Sequence, residues 1–211
     1  MDKLEGVASD LRTRGAKHVE TRPFDATDFT HHGALLQGSW DVFGQVDLLL
    51  LAHGDMPTSG DKATAEETLE TWNVNGTSMI SLMAAAKPLF EQQGHGCLCV
   101  ISSVAGERGR KPTYVYGAAK AGVTAFTQAL RQSLAEKNVR VLGIKPGYVD
   151  TPMTAHLSKS ALFASPERVA KTICRVIDNK SNRDLSVPWF WAIIMTIIKL
   201  VPERIFLKLK I

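Results

Sequence analysis

Apolar residues along this chain fall into two kinds of pattern. Val46 to Ala52 (VDLLLLA), Cys97 to Ile101 and Val139 to Ile144 are short, nearly unbroken apolar runs. Between the first two runs, Trp72, Met79, Met83, Ala86 and Phe90 follow a helical period, and after Ser103 so do Val123, Phe126, Leu130 and Leu134. Apolar runs separated by long helical stretches predict buried parallel strands in a βαβ architecture. Earlier in the chain, Met1 to Gly15 reads as a short polar helix and Val19 to Phe24 as a strand. Asp25-Ala26-Thr27-Asp28 is expected to cap a helix running to about Gly44. A last helix over Ser165 to Asn179 and a short strand, Leu185 to Val187, complete the predicted domain.

The segment beyond Val187 is patterned differently. Val187 to Ile198 (VPWFWAIIMTII) carries no charge, and Lys199, Arg204, Lys208 and Lys210 then alternate with apolar residues. A spanning helix needs about 20 apolar residues, so the run is too short to cross a bilayer. Two readings remain: a helix packed on the domain or in an oligomer contact, or an interfacial anchor with aromatics at headgroup level and cations towards phosphates. The expected division is therefore a domain over 1–187 and an apolar, basic tail over 188–211.

Bulk properties narrow the class. The 211 residues suffice for one domain, and 45% hydrophobic with 22% charged residues is the balance of a soluble globular protein. A net charge of +4, spread along the chain, gives nucleic-acid binding no support. Cys97, Cys99 and Cys174 form no CxxC, which predicts a reducing, cytoplasmic setting and neither a disulfide framework nor a metal site. Met1 leads into charged residues, so no secretory leader is expected.

The chemistry centres on Tyr116-Gly117-Ala118-Ala119-Lys120. Four residues apart on a helix, the phenol and the ammonium project from one face, and a neighbouring cation is expected to lower the tyrosine pKa. Ser103 ends a buried strand thirteen residues earlier, where its hydroxyl could meet the phenol. Ligands of open α/β sheets bind at such strand ends.

Ile101-Ser102-Ser103, Tyr116 to Lys120, and Pro146-Gly147-Tyr148-Val149-Asp150-Thr151 resemble, in order and spacing, three motifs of the short-chain dehydrogenases/reductases. Val74-Asn75 matches the fourth member of that family's catalytic tetrad, and Asp25 its adenine-contacting acid. The resemblance implies an α/β, Rossmann-like doubly wound parallel sheet and an oxidoreductase using NAD or NADP on a ketone or secondary alcohol. By the same resemblance Tyr116 is the acid/base and Ser103 binds the substrate oxygen. Lys120 serves the phenolate and the cofactor ribose, and Asn75 holds a relay water. Gly54 and Asp25 approach the cofactor, Thr151 takes its carboxamide, and Pro146 and Gly147 let backbone near the ring. A homodimer or homotetramer is also implied, with Gly117, Ala121, Ala125 and Ala129 allowing close helix approach.

The chain departs from the family in two places. It contains no Gly-x-x-x-Gly-x-Gly phosphate turn, so the first βαβ unit is expected to be missing. That predicts weak cofactor binding, a strand near Val19 without a neighbour, and an exposed apolar edge at Val46 to Ala52. A shortened form of a longer chain, or a variant completed by a partner, would account for this. After the same strand, Leu51-Ala52-His53-Gly54 stands where the family has Asn-Asn-Ala-Gly. His53 is expected to pack in the loop near the cofactor, and His31-His32 to lie on the surface.

The tail and the Ala-His-Gly variant are also similar to bacterial polyprenylphosphoryl-sugar keto-reductases. That narrower resemblance suggests a lipid-linked carbonyl substrate and a membrane surface as partner. A non-catalytic, membrane-associated scaffold that keeps the dimer-forming fold is the alternative function.

Overall fold

The computed structural model describes residues 2–57 and 59–209. Four parallel strands form one sheet in the order β1 (Leu48–Leu51), β2 (Gly96–Ile101), β3 (Val139–Pro146) and β4 (Asp184–Val187). Sheet order follows chain order. Leu50 is in register with Cys99, Leu98 with Val141, and Pro146 with Val187. Helix α1 (Asp2–Thr13) opens the chain and α2 (His32–Phe43) precedes β1. Helices α3 (Ala65–Trp72) and α4 (Ser78–Gln93) join β1 to β2, α5 (Tyr114–Leu134) joins β2 to β3, and α6 (Pro166–Asp178) joins β3 to β4. Two further helices, α7 (Phe190–Leu200) and α8 (Glu203–Phe206), follow β4.

The period-2 alternation of the strands sorts the core into two faces. Leu51, Leu98, Val100 and Val141 meet Met79, Met83, Phe90, Val123 and Leu134 of α4 and α5. On the other face Cys97, Cys99, Leu142, Ile144 and Val187 meet Val169 and Ile173 of α6. Leu48 and Leu50 share this second face at the β1 edge, but they remain 40% and 45% exposed. The expected apolar edge is present.

Three sequence expectations are corrected. Val19 to Phe24 forms no strand. Glu20, Arg22 and Phe24 instead border a cleft of about 460 Å³ whose opposite wall is Leu49 to His53. Without a partner strand its backbone groups have no ladder to join. Second, the helix after Asp25 starts late: a 3-10 turn over Phe29–His31 leads into α2, and Asp25 caps neither. His31 is exposed as expected, but His32 is 2% exposed and its Nδ1 meets Ser81 Oγ at 3.0 Å.

Candidate active site

At the carboxyl ends of the strands lies a cavity of about 670 Å³, lined among others by Gly54, Ser103, Tyr116, Lys120, Pro146, Thr151 and Trp191. Ser103 leaves β2 in extended conformation, and its Oγ accepts the Ala105 N–H at 3.0 Å. The same hydroxyl and the Tyr116 phenol both line the cavity. The first turns of α5 approach this strand end closely because Gly117 faces the Ala105 carbonyl, where an added Cβ would stand 2.9 Å from the oxygen. Gly117 is therefore buried within the chain and does not contribute to an open helix face. Ala125 and Ala129 are exposed.

Lys120 is 2% exposed, and its Nζ donates to the Ile101 carbonyl at 3.2 Å. It stands 5.7 Å from the centre of the Tyr116 ring. Burial pushes its pKa down to about 8. The expected lowering of Tyr116 by Lys120 is corrected here: burial raises the phenol, and the neighbouring Ser103 hydroxyl acts against that rise. Burial thus holds the phenol in its protonated form.

Asn75 acts through the loop it holds. Its Nδ2 donates to the carbonyls of Asp55 (2.6 Å) and Thr71 (3.0 Å), and its Oδ1 accepts the Asp55 N–H at 3.1 Å. Both amide hydrogens are thus committed, and the side chain does not line the cavity. A π-helical turn over Asn73–Thr77 carries Asn75 between α3 and α4, the kind of bulge that recurs at functional sites. Gly54 is small because a Cβ there would lie 2.9 Å from Asn75 Oδ1 and 3.4 Å from Lys120 Nζ. His53 Nε2 meets Ser78 Oγ at 2.9 Å, a loop-packing position. Burial, then Lys120 and His32, push its pKa down to about 4.

Thr151 starts a 3-10 turn, exchanging hydrogen bonds with Thr154. Pro146 ends β3 at the cavity wall. Gly147 serves a purpose the sequence reading missed: an added Cβ would fall 1.9 Å from Trp191 Nε1, so the glycine lets the α7 indole pack against the strand end. Asp25 does not line the cavity; its carboxylate accepts from the Thr27 N–H (2.8 Å) and Oγ1 (2.7 Å).

Sequence reasoning also missed Ser102, whose hydroxyl donates to the Lys120 carbonyl at 2.9 Å and meets Thr124 Oγ1 at 2.7 Å. It ties α5 to the end of β2. The inner face of α7 packs Trp191 and Met195 on Val104. Arg108 anchors the end of that helix through the Val201 carbonyl (2.7 Å) and Glu203 (2.9 Å), and Lys199 pairs with Glu107.

The sequence pattern of the short chain dehydrogenase family matches residues 1–161. An uncharacterised oxidoreductase of Mycobacterium tuberculosis is 34% identical over 99% of this chain and 84% of its own length. The ketoacyl reductase HetN of a Nostoc species is 31% identical over 85% of this chain and 64% of its own. Among solved structures, ElxO with NADP bound superposes with a TM-score of 0.79 at 18% identity, covering 90% of this chain and 85% of ElxO. A short chain dehydrogenase from Mycobacterium paratuberculosis bound to NAD gives 0.79 at 22% identity, over 89% and 79%. With the strand order, the Ser103–Tyr116–Lys120 geometry and these likenesses together, the chain belongs to the short-chain dehydrogenase family.

Proposed function

We propose that the chain interconverts a ketone and a secondary alcohol with NAD or NADP, and that Tyr116 moves the proton. The observation that carries this reading is the convergence of Ser103, Tyr116 and buried Lys120 on the wall of one cavity. In reduction, the Tyr116 hydroxyl donates to the carbonyl oxygen while Ser103 hydrogen-bonds the same oxygen, where negative charge develops. Lys120, still largely protonated at pH 7 with its pKa near 8, faces the phenolate left behind. Asn75 keeps the Gly54–Asp55 backbone in place.

Residues at the nicotinamide end suit such a cofactor. Lys120 spends one of its three N–H groups on Ile101 and offers the others, and Thr151 and Pro146 stand across the cavity. A nicotinamide bound there supplies or accepts the hydride. The 211-residue chain contains no glycine-rich phosphate turn, so its hold on the dinucleotide is weak in this reading. Titration with NADH and NADPH should saturate well above micromolar concentration, and micromolar binding would contradict it.

Tyr116→Phe tests the assignment. Turnover is expected to fall by at least about a hundredfold, within the range of general acid–base catalysis, with cofactor affinity unchanged. Substantial activity in Tyr116→Phe would refute the role.

The outward side of α7 and α8 supports a membrane surface as partner and a lipid-borne carbonyl as substrate. Trp189, Ile193, Ile197, Leu200, Ile205 and Leu207 are exposed there, and Arg204 and Lys208 lie among them. Lys199 is already paired with Glu107, and Lys210 lies outside the described residues. No helix among the described residues is long and apolar enough to cross a membrane. Dimerisation through α5 is the companion proposal, supported by exposed Ala125 and Ala129 and by the half-exposed Trp72 beside Gly122.

A further inference from the structure

Five buried side-chain polar atoms lack a hydrogen-bond partner among the described residues, and four of them belong to residues lining the catalytic cavity: Ser59 Oγ, Arg110 Nε, Thr113 Oγ1 and Trp191 Nε1. Orphaned buried donors are costly and rare, so their concentration at one cavity calls for a physical account. Three of the four are neighbours. Ser59 precedes a 3-10 turn over Gly60–Lys62 and Arg110 a second one over Lys111–Thr113. The two turns pack together, with Gly60 so close that a Cβ would stand 3.3 Å from the Pro112 carbonyl.

Ser59 and Thr113 each occupy the position that precedes a helical turn, where a hydroxyl ordinarily caps the free N–H groups. Neither does so. Thr113 thereby leaves the N-terminus of the 21-residue helix α5 without a side-chain cap. Arg110 is paired with no carboxylate among the described residues, whereas the nearby Asp61 carboxylate is engaged by Lys111 at 3.2 Å. One guanidinium, two unused hydroxyls and an uncapped helix N-terminus therefore converge at one end of the cavity. Each favours negative charge, and among the described residues none is paired with a carboxylate.

We infer that Ser59, Arg110 and Thr113 form an oxyanion subsite that holds a carboxylate or phosphate carried by the carbonyl substrate. The inference rests on the reading of the cavity as a ketone reductase site and deepens it. Thr113 lies about one helical turn, roughly 5 Å, before Tyr116. The anionic group and the reducible carbonyl are accordingly separated by only a short carbon chain. The apolar wall of Met153, Leu157 and Ile173 is left for the rest of the molecule.

Calorimetric titration tests this without turnover. The probes are acetoacetate, dihydroxyacetone phosphate, inorganic phosphate, and the uncharged ethyl acetoacetate and dihydroxyacetone. Wild type is expected to bind at least one anionic ketone about tenfold or more tighter than its neutral counterpart, the scale of one charge-assisted hydrogen bond. Arg110→Gln should abolish that preference, and Ser59→Ala and Thr113→Val should each reduce it several-fold. Neutral probes should be indifferent to all three. Tighter binding of acetoacetate points to a carboxylate, and of dihydroxyacetone phosphate, with inorganic phosphate competing, to a phosphate. Tyr116→Phe should keep the preference, so loss of turnover in that variant with the preference intact leaves the subsite standing whatever becomes of the reductase reading. Equal affinity for charged and neutral ketones in wild type, or an unchanged preference in folded Arg110→Gln, would overturn it.

Discussion

An imidazole and an ammonium share the polar end of β1, and their burial gives the protein a pH dependence. His53 has its pKa pushed down to about 4 from an ordinary 6.5. Between those values the unfolded chain binds the proton and the folded one resists it, so this contribution is complete above pH 6.5 and is lost as pH falls towards 4. Discounted for the partial exposure of the ring, it is about 1–2 kcal/mol. Urea unfolding of His53→Gln should show a shallower loss of stability than wild type between pH 6.5 and 4, and parallel curves would remove His53 from the account. At this scale the convergence of Tyr116, Lys120 and Ser103 on one cavity could be read from sequence, because it depends on residue type and fixed spacing. His32 could not: one residue separates it from exposed His31, and only the packing of α2 against Ser81 decides which ring is inside. Ser59 and Thr113 were equally silent, since a hydroxyl before a helical turn normally signals a cap.

Helices α5 and α7 meet the sheet through glycines that admit a neighbour, and α7 offers the sharper test. Gly147→Ala would drive a methyl group into the Trp191 indole, and the expected cost is about 1–3 kcal/mol, as for other overpacked sites. Trp191→Ala should cost about 3–5 kcal/mol through the cavity it leaves. Combined, the two should cost less than their sum, because without the indole the new methyl meets nothing. Additive melting shifts would argue against the contact. The outward side of α7 has its own test. Deleting residues 188–211 should abolish co-sedimentation with anionic liposomes, and salt should weaken it in the intact chain. Lipid binding that survives the deletion would refute a membrane role for the tail. The strands were legible as short, nearly unbroken apolar runs between helical stretches, and α6 because its apolar residues repeat against a polar side. For α7 the sequence was ambiguous in a definite way: a helix apolar on every side has no period to name the buried one, and Gly147, forty-four residues earlier, selects Trp191.

Across the whole molecule the exposed β1 edge dominates. Leu48 and Leu50 offer apolar side chains beside unpaired strand backbone, a template for association. Leu50→Lys should therefore lower self-association in sedimentation at micromolar concentration without moving the melting temperature by more than about 2 °C, since a half-exposed position has little burial to lose. Unchanged association would place the contact elsewhere. The edge itself could be anticipated from the apolar run Val46 to Ala52. Val19 to Phe24 does not become a strand because strand propensity is realised only against a partner, and among the described residues it has none.

Chain order and sheet order coincide, and this has a temporal meaning. A ribosome emitting about 5–20 residues per second delivers each strand after the one it will lie against, so the sheet can grow outward as it is made, with no strand waiting for a later one to be slotted in between. Ser103, Tyr116 and Lys120 are delivered well before Trp191, which closes the wall beside Gly147. During that interval the side chains of Ser103, Tyr116 and Lys120 lack the wall that α7 supplies, and the cavity takes its described shape only once Trp191 has packed against Val104 and Gly147.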